Sequence, residues 1–145
     1  MARQKTSGRS SKRIEILRSH HLPDGNFFSS PDPFTRGLIN EIYFARVYDG
    51  YFSIQEGMSI LDVGAHAGIF TLKAAKLIGS SGKILAIEAN PELVLHLRSN
   101  MAKNGYENVT VVSCAVSNQE GTGTLVVNQV NMGSSTLEGS NKNLQ

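Results

Sequence analysis

The sequence has no uninterrupted apolar run of about 18 residues, so no segment reads as a membrane-spanning helix. Basic residues stand at the N-terminus without an apolar stretch behind them, so a secretory signal is not expected either. Cysteine is nearly absent. The single Cys114 makes no intrachain disulfide and no cysteine-based zinc cluster, and such usage suits a reducing compartment; a cytoplasmic location is the expectation. Charged residues make up only 18% of the chain and hydrophobic ones 40%, which is enough for a globular core and argues against wholesale disorder. The net charge of +2 is unevenly placed. Residues 1–18 carry Arg3, Lys5, Arg9, Lys12, Arg13 and Arg18 against Glu15 alone, while the remainder is mildly acidic. A basic tail of this kind suits nucleic acid or anionic lipid in principle. No aromatic residue is interleaved with its charges, so a solvated terminus is the simpler reading and no nucleic-acid partner is expected.

Along the chain, residues 1–33 read as a basic, flexible tail and loop, with Pro23, Pro31 and Pro33 punctuating its end. Residues 34–145 read as one partial domain. Leu38, Ile42, Ala45 and Tyr48 recur at helical spacing and predict a helix between Phe34 and Phe52. Strand and helix signals then alternate. Met58 to Val63 is a short apolar strand, Ala67 to Ile78 a helix, and Lys83 to Ile87 a second strand. Pro91 suits the first turn of a helix that runs to Lys103 and ends at Asn104–Gly105. Val109 to Cys114 is the third strand. Apolar strands separated by helices imply a parallel sheet with crossover helices. Thr122 to Asn128 reads as an extra β segment, and Met132 to Gln145, rich in Ser, Gly and Asn, shows no clear element.

The central motif is Ile60-Leu61-Asp62-Val63-Gly64-Ala65-His66-Ala67-Gly68, placed where a strand turns into a helix. A helix N-terminus there offers free N–H groups and the positive end of its dipole to a ligand. Gly64 and Gly68 allow close approach to the backbone. A dinucleotide loop requires G-x-G-x-x-G, and here His66 and Thr71 occupy two of those glycine positions. Asp62 would also repel a pyrophosphate, whereas it would attract the ammonium and sulfonium of S-adenosylmethionine. The alternative for this residue taken alone is a simple helix N-cap. Glu88 ends the second strand and can accept hydrogen bonds from both ribose hydroxyls, although a surface acid at a strand end would look the same. Together, Asp62, Gly64, Gly68 and Glu88 favour the methyl donor as cofactor. Ser113-Cys114-Ala115 ends the third strand with small residues that leave room for an adenine ring or simply pack a core. Nothing adjacent would activate the Cys114 thiol. His66 has no second ligand at metal spacing, so it reads as a loop histidine near the cofactor carboxylate, with no metal site. His20, His21 and His96 read as peripheral.

These segments resemble the FkbM family of methyltransferases. The likeness runs from Glu41 to Leu137 and is carried by Leu61 to Leu72, Ala86-Ile87-Glu88-Ala89-Asn90-Pro91, Asn100 to Gly105, Asn108 to Val112 with Ala115-Val116-Ser117 and Glu120-Gly121, and Gly133 to Leu137. The resemblance implies that Asp62, Gly64 and Gly68 cradle the aminoacyl end of the cofactor and that Glu88 holds the ribose. Ala65, His66, Ala89 and Cys114 complete the expected cofactor-binding set. His66 stands where that family commonly has Asn, and Ala89 where it commonly has Pro. The fold expected is α/β: a doubly wound, Rossmann-like class I methyltransferase sheet, truncated after three parallel strands and an extra β segment. The activity implied is methyl transfer to an oxygen of a sugar, lipid-linked glycan or natural product, with a small-molecule or glycan acceptor as partner. No residue is identified as a catalytic base. A non-catalytic, cofactor-binding relic and, less favoured, a nicotinamide-dependent oxidoreductase are the alternatives.

Overall fold

A computed structural model describes residues 18–138 except 119 and 129. Its centre is a parallel sheet of three strands in the order β3-β4-β5, with β3 at Ser59–Val63, β4 at Lys83–Glu88 and β5 at Val109–Ser113. Leu61 sits opposite Leu85, and Leu85 opposite Thr110. The crossovers are α2 (Ile69–Ile78) and α3 (Pro91–Lys103). This is the Rossmann-like α/β arrangement expected.

Each crossover helix is bounded by its own sequence. Asn90 caps α3 by accepting a 3.0 Å hydrogen bond from Glu92 N–H, with Pro91 at the first helical position and Lys103 in the last turn. Gly79, at φ +66° and ψ −170°, follows the last residue of α2 in a region of backbone space open essentially to glycine alone, which takes the chain out of the helix. Ile84 and Ala86 of β4 face the helices and are buried with Leu72, Ile78, Leu93 and Leu97. The opposite face is largely bare: Leu61 is 62% and Val63 54% exposed, and Leu85 and Val112 are exposed beside them.

Three expectations need correction. Residues 18–33 are not tail and loop throughout: β1 (Arg18–His21) and β2 (Phe27–Ser30) form an antiparallel hairpin, and Phe28 is fully buried. Residues 1–17, most of the predicted basic tail, lie outside the described residues. The hairpin is held by two asparagines one turn apart, Asn100 on α3 and Asn104 at its C-terminal cap. Asn100 Oδ1 accepts from Ser29 N–H and its Nδ2 donates to Ser29 O; Asn104 does the same for Phe27. Residues i and i+4 of a helix are about 6 Å apart along its axis, close to the i, i+2 spacing of a strand, so the two amides act as a substitute neighbouring strand.

The predicted helix from Phe34 to Phe52 is also shorter. It is α1 (Thr35–Ile39), widening into a π turn at Asn40–Phe44. Arg46 then adopts φ +53°, and Lys73 Nζ donates to Ile42 O at 3.0 Å and to Asp49 Oδ1 at 2.7 Å. A carbonyl that would continue the helix ladder is thus drawn to a lysine on α2. The extra β segment is present as β6 (Thr124–Val126), and it pairs with β7 (Thr136–Glu138), in a stretch where no element was expected. A short 3-10 turn at Met132–Ser134 joins them, and Met132 is buried against the core. No helix among the described residues is long and apolar enough to cross a membrane.

Candidate cofactor site

The C-terminal ends of the three strands open into a cleft of about 420 Å³. Val63 and Gly64 contribute from β3, Ile87, Glu88 and Ala89 from β4, and Cys114, Ala115 and Val116 from β5. Leu125, Met132, Gly133, Ser135 and Leu137 of the β6–β7 hairpin form the outer wall, and Leu38 of α1 closes one end.

The loop after β3 is shaped by the strand beside it. Gly64 takes φ +77°, and the N–H groups of Gly64 and Ala65 both donate to Ile87 O at 2.9 Å. This folds the loop across the end of β4. A Cβ added at Gly64 would meet nothing within 4 Å, so the backbone there is open to a ligand. His66 follows at φ +56°, a conformation uncommon for a non-glycine residue, and its N–H donates to Glu88 Oε2 at 2.8 Å. Asn90 N–H donates to Glu88 Oε1, also at 2.8 Å. A carboxylate offers about four lone-pair positions, so two remain to accept from a vicinal diol. Asp62 lies just behind: its Oδ2 accepts from Thr71 Oγ1 at 2.6 Å. Burial pushes its carboxyl above the usual range; the Thr71 bond opposes that shift, and the Glu88 charge reinforces it.

Of the residues expected to face the cofactor, Gly64, His66, Glu88, Ala89 and Cys114 line the cleft. Asp62, Ala65 and Gly68 do not form part of its lining. Ala65 is buried and tied to β4 through its N–H. Gly68 sits at φ +90°, and a Cβ there would lie 2.4 Å from Leu97 Cδ1. Its glycine is required by the packing of α2 on α3. Asp32, whose Oδ2 is 2.8 Å from His66 Nε2, was not among the expected residues. Nothing in the sequence ties position 32 to position 66. Of the wall contributed by the β6–β7 hairpin, Leu125 falls in the expected extra β segment, whereas Met132 to Leu137 lie where no element was expected, although Gly133 to Leu137 form one of the family-like motifs.

A parallel sheet with a glycine turn after one strand and an acid at the end of the next is the Rossmann-like arrangement of S-adenosylmethionine-dependent methyltransferases. The model of the protein-L-isoaspartate(D-aspartate) O-methyltransferase family matches residues 26–121, and the chain belongs to that family. S-adenosylmethionine is the cofactor of this class. The FkbM affiliation is therefore corrected. Among the segments that carried it, the glycine loop and the strand-end acid are features of the common cofactor half, and do not by themselves separate families. A protein-L-isoaspartate O-methyltransferase of Methanococcoides burtonii is 46% identical over 59 residues, 41% of this chain and 29% of that protein. Protein-L-isoaspartate O-methyltransferase 2 of Archaeoglobus fulgidus is 37% identical over 87 residues, 59% of this chain and 40% of that protein. Among solved structures, M. jannaschii TYW2 in complex with AdoMet aligns with a TM-score of 0.54 and 27% identity over 69% of this chain and 44% of that one. The chain thus spans less than half the length of the relatives it matches.

Proposed function

We propose that the chain is the cofactor-binding portion of an S-adenosylmethionine-dependent O-methyltransferase, and that its acceptor is a protein carboxylate. The observation that carries the cofactor reading is Glu88 at the cleft, fixed by the N–H groups of residues 66 and 90 with acceptor capacity to spare. The residues present fit the group. Gly64 gives an open backbone for the aminoacyl chain, Glu88 accepts from the ribose hydroxyls, and Ala89, Cys114 and Ala115 leave space for the adenine. Asp62 supplies negative charge behind the loop for the ammonium, without lining the cleft. When bound, S-adenosylmethionine supplies a methyl group on a sulfonium. Transfer to a carboxylate oxygen makes an ester and needs no proton removed from the acceptor. The chain's own contribution is alignment and exclusion of water, the latter through the apolar β6–β7 wall.

The protein acceptor follows the names of the relatives, and replaces the sugar, lipid-linked glycan or natural-product hydroxyl expected from the FkbM resemblance. Two measurements test the reading. Calorimetric titration with S-adenosylhomocysteine should show binding that Glu88→Ala weakens about 100-fold, the loss of two charge-assisted hydrogen bonds. Incubation with methyl-labelled cofactor and an isoaspartyl peptide should give label that mild base releases, as an ester does. Base-stable label on a hydroxyl acceptor would refute the carboxylate acceptor, and tight binding by Glu88→Ala would refute the ribose assignment.

A further inference from the structure

His66 is unusual in three respects. Its backbone is left-handed without being glycine, its side chain is buried, and its ring is engaged by a residue 34 positions earlier in the chain. Asp32 is 1% exposed and reaches the ring with one oxygen, Oδ2, at 2.8 Å from Nε2. Its other oxygen, Oδ1, accepts from Phe34 N–H at 2.8 Å, and its own N–H donates to Ser30 Oγ. The carbonyl of Asp32 accepts from Thr35 Oγ1 at 2.6 Å. Asp32 is therefore fixed by its own turn, independently of the cleft. An aspartate carboxylate can only accept, so the Nε2 of His66 carries the ring hydrogen toward it. The remaining ring nitrogen, Nδ1, is buried and has no hydrogen-bond partner among the described residues. Among the described residues the ring's hydrogen-bond partner is thus Asp32, while the backbone N–H of the same residue donates to Glu88.

We propose that Asp32 is a positioning residue for cofactor binding. Through the His66 ring it holds residue 66 in the left-handed turn that aims the residue 66 N–H at Glu88, and so orients the carboxylate that takes the ribose. The inference rests on the cofactor reading above and extends it to the segment that joins β2 to α1. The strain of a non-glycine residue in this conformation persists only where surrounding contacts over-determine it. The Asp32 bond is the hydrogen bond that anchors the His66 ring. Without it, the residue 66 backbone relaxes toward negative φ, the N–H swings away, and Glu88 keeps only the bond from Asn90.

Calorimetric titration with S-adenosylhomocysteine on the parent chain and its variants tests this. Asp32→Ala should weaken binding about tenfold, the effect of losing one hydrogen bond to a charged group. In a His66→Gly background, where the left-handed turn costs nothing, the same Asp32→Ala change should have no further effect. Amide hydrogen exchange at His66 should quicken about tenfold in Asp32→Ala and should be unaffected at Glu92, whose bond to Asn90 does not depend on Asp32. Should Asp32→Ala fail to fold, Asp32→Asn serves in its place. Its amide oxygen still accepts from Phe34 N–H and its NH2 group faces the ring. Binding should then stay within about threefold of the parent, while ring nitrogen shifts show the hydrogen moved from Nε2 to Nδ1. Three results would overturn the proposal alone: a folded Asp32→Ala that binds like the parent, an Asp32→Ala loss undiminished in the glycine background, or an unchanged tautomer in Asp32→Asn. A parent chain that binds no S-adenosylhomocysteine would overturn the cofactor reading and the proposal with it.

Discussion

Replacing Gly68 by alanine places a methyl carbon 2.4 Å from Leu97 Cδ1 and 3.1 Å from Met101 Cε. Leu97 is fully buried, so its methyl group cannot swing into solvent to make room. The backbone adds a second penalty, because φ is +90° and any residue with a Cβ is strained there. The left-handed conformation costs about 1–2 kcal/mol, and forcing a methyl into a filled core costs about 1–3 kcal/mol more. Gly68→Ala is therefore expected to destabilise by about 2–5 kcal/mol, a large share of a typical domain's stability. With a urea slope near 2 kcal/mol/M, the unfolding midpoint should fall by about 1–2.5 M. Gly64→Ala is the matched control. Its φ of +77° carries the same backbone penalty, but nothing lies within 4 Å of the added Cβ. It should cost only about 1–2 kcal/mol, while projecting its methyl into the space assigned to the cofactor and weakening S-adenosylhomocysteine binding. The two glycines of one motif would thus separate by assay: Gly68 in denaturation, Gly64 in titration. Equal destabilisation by both variants, or a Gly68→Ala protein with an unchanged midpoint, would refute the packing argument.

Asn100→Ala should destabilise by about 3 kcal/mol or more, because it leaves Ser29 N–H, Ser29 O and Ala67 O buried without their partner; urea denaturation measures it. Asp62 gives a pH prediction whose sign follows from its raised carboxyl pKa. The folded state holds the proton better than the unfolded chain, so its contribution to stability is present below the ordinary value of 3.8 and is lost as pH rises through the folded value. Asp62→Asn should therefore be at least as stable as the parent at pH 7 by chemical denaturation. A cationic ammonium nearby favours the ionised form. Cofactor affinity should accordingly rise with pH through the range where Asp62 ionises and then level off, and titrations across pH should show that rise vanish in Asp62→Asn.

The strand-helix-strand-helix-strand core was legible because each element carries local signals strong enough to fix it. Asn90-Pro91 starts α3 and Asn104-Gly105 ends it; the apolar runs of β3, β4 and β5 stand clear between polar turns. Glu88 and Gly64 were legible for the same reason, since a strand end adjoining a helix start is a local feature. What failed depended on distant partners. The β1–β2 hairpin contains little apolar patterning and is held by amide groups 71 and 77 residues further on. The helix after Phe34 has the right periodicity, and a lysine on another helix diverts its carbonyl. Gly68 was given a ligand-facing reason when its neighbour is Leu97, because a glycine in sequence does not show which side its missing Cβ would occupy.

The position of the cleft follows from topology more than from any single residue. Strand order β3-β4-β5 steps in one direction, and right-handed crossovers stepping one way lie on one face, so α2 and α3 both cover the side of Ile84 and Ala86. In open α/β sheets ligands bind in the crevice outside the carboxyl ends of the strands, and the cleft lies at those ends here. Gly64 and His66 stand at the end of β3, with Glu88 one strand over. The outer wall comes from the β6–β7 hairpin, pinned by Met132 in the core. Residue 66 is where these constraints meet. Its backbone serves the acid of the neighbouring strand, its ring answers to the turn before α1, and Gly133 of the outer wall stands beside it, close enough that an added Cβ would sit 3.9 Å from its Cδ2. A change in any of those elements reaches Glu88 through one residue, so the Asp32–His66 pair links the N-terminal hairpin to the cofactor site although the hairpin itself supplies none of the cleft's lining.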